Sequence, residues 1–304
     1  MKILSIINYK GGVGKTTLTA NLALGLAQRG YRVLAVDLDP QTNLTFSFIS
    51  PDNWLLNHEQ SRTIKTWFEH LLAGNPKPPS FDKLAISTHG IDLVSSHIDL
   101  VDIDQQLSAG LYNLKDYSPF AFAGEATLTP EQEFAKRYLR IHSYLLEETR
   151  RLAHTYDWIL FDCPPNFSVV TQNALLASDY YVVPSKMDYL STLGINQLRK
   201  RQLAASAKYH ELSGYKREPM FLGVIPTMVS LYSEQMTTVH RNALREIKGQ
   251  GIPVFDSFVR DSRSAYGENP LTNGHAITGK DKKITAELQA VLVELLQKVE
   301  ANHD

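Results

Sequence analysis

The sequence predicts an α/β fold: a doubly wound, mostly parallel sheet with helices on both faces. Three observations predict it. Short apolar runs alternate with stretches of helical periodicity along most of the chain. A glycine-rich turn joins the first run to the first helical stretch. Aspartates close two of the runs, at what would be the carboxyl edge of such a sheet.

Residues 2–8 read as the first strand, a short apolar run without alternation, as expected of a strand buried on both faces. Residues 16–29 place Leu18, Leu22 and Leu26 at helical spacing, with Gly30 as the stop. Residues 32–36 form the next strand, closed by Asp37, Leu38, Asp39 and Pro40. Strand, helix and strand within forty residues make a βαβ unit with an expected right-handed crossover. A helix near 63–73 leads through the stiff loop Asn75, Pro76, Lys77, Pro78 and Pro79 to a strand at 91–94. Further strands are expected at 158–162, 180–184, 221–226 and 254–259, with helices at 130–155, 171–178, 190–212 and 233–248. Residues 116–130, with Pro119, Gly124 and several aromatics, read as an irregular insertion near 110–130. The stretch 284–299 puts Leu288, Val291, Leu292, Leu295 and Val299 on one face and is expected to dock as a terminal helix. No linker separates two strand sets, so residues 1–304 are read as a single domain.

Composition narrows the function. With 43% hydrophobic and 21% charged residues, the chain is globular rather than disordered. Its 31 Lys and Arg face 32 Asp and Glu, so no global field draws it to nucleic acid, and a polyanion would need a local patch. The single cysteine, Cys163, excludes an internal disulfide framework, a four-cysteine zinc site and a cysteine-ligated cluster within one chain. Its expected role is packing. The ten histidines show no ligand spacing. No apolar run reaches about eighteen residues, so no membrane association is expected, and the first run is too short for a signal-peptide core. A cytoplasmic location follows as an expectation.

The chemistry centres on Lys10, Gly11, Gly12, Val13, Gly14, Lys15, Thr16 and Thr17. Glycines let several N–H groups point into one concavity, and the following helix adds its free amides and positive dipole end. Lys15 can then neutralise β- and γ-phosphates while Thr16 offers its hydroxyl to Mg²⁺. A strict phosphate loop would carry glycine where Tyr9 stands. Lys10 is either a solvated charge near the phosphates or a side chain that reaches another subunit's nucleotide. Asp37 and Asp39 are candidates for holding Mg²⁺ and orienting water, and Asp162, at the end of an apolar strand, for water-mediated Mg²⁺ binding. For nucleic acid, the best local patch is Arg199, Lys200, Arg201, Lys208, Lys216 and Arg217, with only Glu211 among them. A second basic set around 136–151 is diluted by Glu147 and Glu148.

With these residues in place, the chain resembles the ParA/MinD group of deviant Walker-A ATPases, and within it the ParA (Soj-like) partitioning ATPases. The resemblance rests on 10–17, on Val36, Asp37, Leu38, Asp39, Pro40 and Gln41, on Asp162, Cys163, Pro164 and Pro165, and on Asn173, Ala174 and Leu175 with the strand after them. It implies a P-loop NTPase fold and an ATPase using ATP and Mg²⁺. Lys10 would be the signature lysine that crosses an ATP-dependent homodimer to the partner's phosphates. Residues 11–17 would wrap the phosphates, Asp39 would position the hydrolytic water, and Asp162 would hold Mg²⁺ through water. Thr227, Met228, Val259 and Arg260 match the positions that contact adenine. The resemblance further implies non-specific DNA binding, stimulation by a ParB-like partner, nucleoid association of the ATP-bound form, and positioning of a plasmid, chromosome or other cargo. Because the match begins at the first strand, operator-specific autorepression is not expected. The insertion near 116–130 is outside the family pattern.

Two alternatives belong to other classes. A MinD-like membrane-positioning ATPase calls for a cation-rich terminal helix, whereas this tail mixes Glu287, Glu294, Glu300 and Asp304 with Lys298. A metabolic enzyme on the same fold would use ATP to phosphorylate or ligate a small molecule.

Overall fold

The computed structural model describes residues 1–74, 78–112, 128–233, 235–262, 266 and 269–302. The chain runs β1 (Lys2–Ile6), α1 (Lys15–Gln28) and β2 (Val33–Asp37), then three short helices, α2 (Asn43–Phe48), α3 (Pro51–Asn57) and α4 (Ile64–Leu72). After α5 (Phe81–Leu84) come the hairpin strands β3 (Ile86–Thr88) and β4 (Ile91–Val94), then α6 (Leu100–Tyr112), α7 (Pro130–His142) and α8 (Tyr144–Arg151). The second half has β5 (Trp158–Asp162), α9 (Val169–Ala177), β6 (Tyr180–Lys186), α10 (Tyr189–Ser213) and β7 (Met220–Thr227). A small hairpin, β8 (Leu231–Tyr232) and β9 (Gln235–Met236), precedes α11 (Thr238–Gly249), and a terminal helix spans Lys282–Glu300.

The main sheet has the order β3-β4-β2-β5-β1-β6-β7. Every named pairing in it is parallel except β3 with β4. The expected doubly wound, mostly parallel fold is therefore found. Period-two alternation splits the core in two: Leu34, Val36, Ile159 and Phe161 pack on one face, and Val33, Ala35, Trp158 and Leu160 on the other. The first face is covered by α4, α6, α7, α9, α10 and α11, through residues such as Trp67, Leu107, Ile141, Leu175, Leu198 and Ile247. Leu18 and Leu22 of α1, with Leu288, Leu292 and Leu295 of the terminal helix, cover the second.

Three expectations are corrected. Residues 254–259 run beside β7 without forming a strand, touching it through an isolated bridge from Val254 to Val224, with a further bridge from Arg260 to Val229 just past the end of β7. The reason is competition from a side chain. Glu294 on the terminal helix accepts from the amides of Asp256 (3.0 Å) and Ser257 (2.8 Å), so the ladder to β7 lapses between Phe255 and Val259. The helix expected over 130–155 breaks at Ser143. Asn173 of α9 inserts its amide there, donating to Ile141 O (2.8 Å) and accepting from Leu145 N (3.4 Å), the two groups that would pair in an unbroken helix. The helix expected from residue 233 begins at Thr238, after the β8–β9 hairpin. Of the proline-rich loop, 75–77 lie outside the described residues, as do residues 116–127 of the insertion. Thr129 and Gln132 close that stretch with a capping box on α7.

β7 bends where Gly223 adopts φ +134°, beside the register shift against β6. A Cβ there would stand 2.9 Å from the Pro253 carbonyl oxygen, which the backbone cannot move cheaply. Gly223→Ala should lower stability by about 1–3 kcal/mol through strain and overpacking, read as a lower midpoint in urea or thermal unfolding.

Candidate functional site

Because β5 lies between β2 and β1, the register sets Ile6, Asp162 and Asp37 in one row at the carboxyl ends of three strands. The loop leaves β1 immediately after this row. Asn8 anchors it, donating to Pro184 O (2.8 Å) on β6 and accepting from Lys10 N (3.0 Å). Gly12 (φ +68°) and Gly14 (φ +84°) take left-handed conformations that side chains rarely adopt. Gly14 is the N-cap of α1, and no side chain caps that helix or places an acid in its first turn. Its amides are thus free for an anion. From the far side, the Thr227 hydroxyl donates to Val13 O (2.7 Å) and pins the loop to the end of β7.

Behind the loop, Asp162 accepts from the Thr16 hydroxyl (2.8 Å) and the Thr19 hydroxyl (2.9 Å). Lys15 is buried, with its ammonium turned back on Lys10 O (3.3 Å). Burial lowers its pKa, and the nearby Asp162 and Asp39 carboxylates oppose that shift. Burial pushes the Asp162 carboxyl up, against the hydrogen bonds from Thr16 and Thr19. Asp37, expected among the metal ligands, lies behind the cleft instead. It is fully buried, accepting from Thr45 N (2.8 Å), the Thr45 hydroxyl (2.7 Å) and Asp39 N (3.2 Å). Those bonds fasten α2 and the turn carrying Asp39 to the strand end. Asp39 itself lines the cleft, with Oδ1 accepting from Gln41 N (3.0 Å). Buried Cys163 has its thiol pKa raised by burial and is no nucleophile in this setting.

The loop opens onto a cleft of about 560 Å³. A second cavity of about 360 Å³ adjoins it and shares Gly14, Thr17, Met228 and Tyr266. Thr227, Met228, Val259 and Arg260, the residues expected at the base, all line this second cavity. Arg260 is held there by Glu287 (2.6 Å) on the terminal helix. Tyr266 and His275 also line the site, and no periodicity or motif in the sequence pointed to either.

Lys10 is not free. Its ammonium pairs with Asp188, the residue that caps α10 by accepting from Ser191 N (3.0 Å). The basic patch is also reshaped by folding. Arg199 and Arg201 are two residues apart and so leave α10 in different directions. Arg199 lies over the Phe221 ring (5.2 Å) and Arg201 over the Tyr9 ring (5.6 Å). Lys208 pairs with Glu211 (3.2 Å), Lys216 with Glu218 (3.3 Å), and Arg217 donates to Leu176 O and Ala177 O. Lys200 is exposed. Arg199 and Arg201 thus do not present one shared face.

The geometry of the loop can be tested at its clamp. Thr227→Val keeps the shape but removes the bond to Val13 O. Triphosphate affinity, measured calorimetrically, should fall roughly tenfold, the effect of about 1.4 kcal/mol.

Comparison with known proteins agrees with this arrangement. Residues 1–117 and 121–210 match the family model described as AAA domain. The chromosome partitioning protein ParA of Caulobacter vibrioides is 30% identical over 200 residues, covering 66% of this chain and 61% of that protein. The cobyrinic acid a,c-diamide synthase of Mycobacterium smegmatis, solved with ADP and magnesium, superposes with a TM-score of 0.66 at 24% identity over 100% of this chain and 96% of that one. A plasmid partition protein of Borrelia burgdorferi bound to AMPPNP gives 0.63 at 20% identity, covering 98% of this chain and 99% of that one. The chain spans about three fifths of the length of this curated relative. Taken with the loop, the acids at the strand ends and the sheet order, the family match is decisive: this chain belongs to the AAA domain family and is similar in sequence to ParA partitioning proteins.

Proposed function

We propose that the protein is an ATP-dependent dimeric switch. In this reading it hydrolyses ATP, binds DNA without sequence preference when ATP-bound, and positions a plasmid, chromosome or other cargo under stimulation by a ParB-like partner. The observation that carries the proposal is the uncapped N-terminus of α1, ringed by Lys15, Thr16 and Asp39 and opening onto adjoining cavities.

The residues fit ATP and Mg²⁺. Thr16 Oγ1 and the Asp162 carboxylate stand together as hard oxygen donors. The described residues hold no cluster of three His, Cys, Asp or Glu that could bind a metal ion. A single carboxylate and a hydroxyl, completed by phosphate oxygens and water, is a set that suits Mg²⁺. Thr16 and Asp162 would hold the ion, which when bound supplies compensation for phosphate charge. The α1 amides and Lys15 would hold the β- and γ-phosphates, moving the Lys15 ammonium off Lys10 O. Asp39, kept at the cleft by the bond between its amide and Asp37, would orient water against the terminal phosphate. Lys10 would leave Asp188 to meet the partner subunit's nucleotide. That exchange ties dimerisation to the cap of α10, the helix that carries Arg199, Lys200, Arg201 and Lys208.

Fold likeness to the cobyrinic acid a,c-diamide synthase favours one second reading, a metabolic enzyme. It would release a phosphorylated or ligated small product rather than free phosphate alone. No helix among the described residues is long and apolar enough to cross a membrane.

Two substitutions separate the roles. Lys15→Ala should weaken ATP binding roughly 10- to 100-fold by calorimetry, as expected when a charged hydrogen-bonding group is lost. Asp39→Ala should keep ATP affinity while phosphate release falls about 100-fold or more. Loaded with ATP, the Asp39→Ala protein should also retain duplex DNA at low salt and release it steeply as salt rises. An Asp39→Ala protein that hydrolyses ATP at the normal rate would remove the assignment of that residue.

A further inference from the structure

Beside the end of β7, α11 and residues 255–258 enclose a further cavity of about 230 Å³, which Pro226 of β7 also lines. None of the phosphate-loop residues lines it. α11 turns His240, Ala243 and Ile247 into the core. Next to that stripe, Arg241, Leu244, Arg245 and Lys248 follow at helical spacing, and all of them line the cavity. The three cations are exposed. Lys248 pairs with Asp256 (3.0 Å), which is 88% exposed, so water competes for the pair. Arg241 makes one long hydrogen bond to the Thr238 hydroxyl (3.4 Å). Arg245 has no ion-pair or hydrogen-bond partner among the described residues.

Among the lining residues, Asp256 is the one acid facing these three cations, and that balance selects an anionic partner. The remaining lining selects further. Met236, Leu244 and Phe258 are partly buried and Phe255 is buried, so the cations stand beside an apolar recess. The recess is smaller than the roughly 300 Å³ at which clefts begin to enclose whole small ligands, and it suits one large side chain. Duplex DNA meets a cationic helix through its phosphates and would leave the recess unfilled. A peptide segment with acids flanking one large apolar residue uses both features. Its apolar side chain fills the recess, and its carboxylates accept charge-assisted hydrogen bonds from Arg241 and Arg245.

We propose that the cavity between α11 and residues 255–258 is a docking site for an acidic peptide segment anchored by one large apolar side chain. The site is independent of the nucleotide reading, because no phosphate-loop residue lines it. The two sites are still neighbours. Thr227 and Val259, which line the cavity expected to take the base, directly follow Pro226 and Phe258, which line this one.

Fluorescence anisotropy on the full chain at low salt tests this with a labelled peptide, one phenylalanine between two runs of four glutamates. That peptide should bind about tenfold more tightly than the same peptide with alanine at its centre, the effect of burying a phenylalanine side chain. A counterpart with lysines in place of the glutamates should not bind. Arg241→Gln and Arg245→Gln, both at exposed positions, should each weaken the acidic peptide about tenfold and leave the thermal midpoint unchanged. Failure of the acidic peptide to bind, or equal binding of its alanine version, would overturn the proposal with no variant needed. Undiminished binding by both arginine variants would overturn it too. A mixed-sequence DNA duplex that bound more tightly than the peptide, and lost affinity in the same variants, would give the face to nucleic acid and overturn it.

Discussion

The hydroxyls of Thr16 and Thr19 both donate to Asp162, and this pair of bonds ties the first turn of α1 to the end of β5. The site depends on that tie. A buried carboxylate is stable only when hydrogen-bonded or paired, and Asp162 has the hydroxyls in front of it and Lys15 nearby. Asp37, beside it in register, is satisfied separately through Thr45 and the Asp39 amide. The sheet order makes this crowding unavoidable. With β5 between β1 and β2, acids at the ends of adjacent strands meet behind the loop. The arrangement crowds carboxyl groups just behind a cradle shaped for anions, where burial pushes the Asp37 and Asp162 carboxyls up, and Lys15 is the buried cation near Asp162 and Asp39. A divalent ion bound with a triphosphate would supply further charge compensation there, held by Thr16 and Asp162.

Much of this was legible in the chain. The loop, the acids at the strand ends and the parallel fold are local signals, set by glycine conformation and apolar runs. Residues 227, 228, 259 and 260, distant in sequence, meet in one cavity at positions that family resemblance anticipates. What stayed hidden depends on tertiary partners. Nothing in the run at 254–259 indicates that Glu294 will take its amides. Asn173 breaks a helix thirty residues away, which no helix-stop rule foresees. The basic patch was read as a charge count, but helical geometry sends Arg199 and Arg201 in different directions onto Phe221 and Tyr9. Asp37 was read as a ligand because it ends a strand, and in the fold its oxygens are taken by Thr45 and the Asp39 amide, which makes it a brace for the Asp39 turn. Tyr266 and His275 lack any motif, and only the cleft brings them together.

The two lysines of the loop divide its work. Lys15 stays inside, shielded and close to the acids, where a single charge is worth most. Lys10 stands at the rim, 43% exposed, and is paired in the free chain with Asp188. Such a half-exposed pair contributes little to stability and can be exchanged at small cost. An easily exchanged pair on the cap of a long helix suits a device that changes partner when nucleotide arrives. On the proposed reading, the Asp188 contact would be the resting position of Lys10, and α10 the element that senses its departure.

Sedimentation velocity of the unmodified protein, saturated with a non-hydrolysable ATP analogue and Mg²⁺, tests this account most directly. A particle of two chains, reverting to one chain in ADP, is the predicted result. A single chain under saturating analogue would contradict it, because Lys10 would then have no second nucleotide to reach.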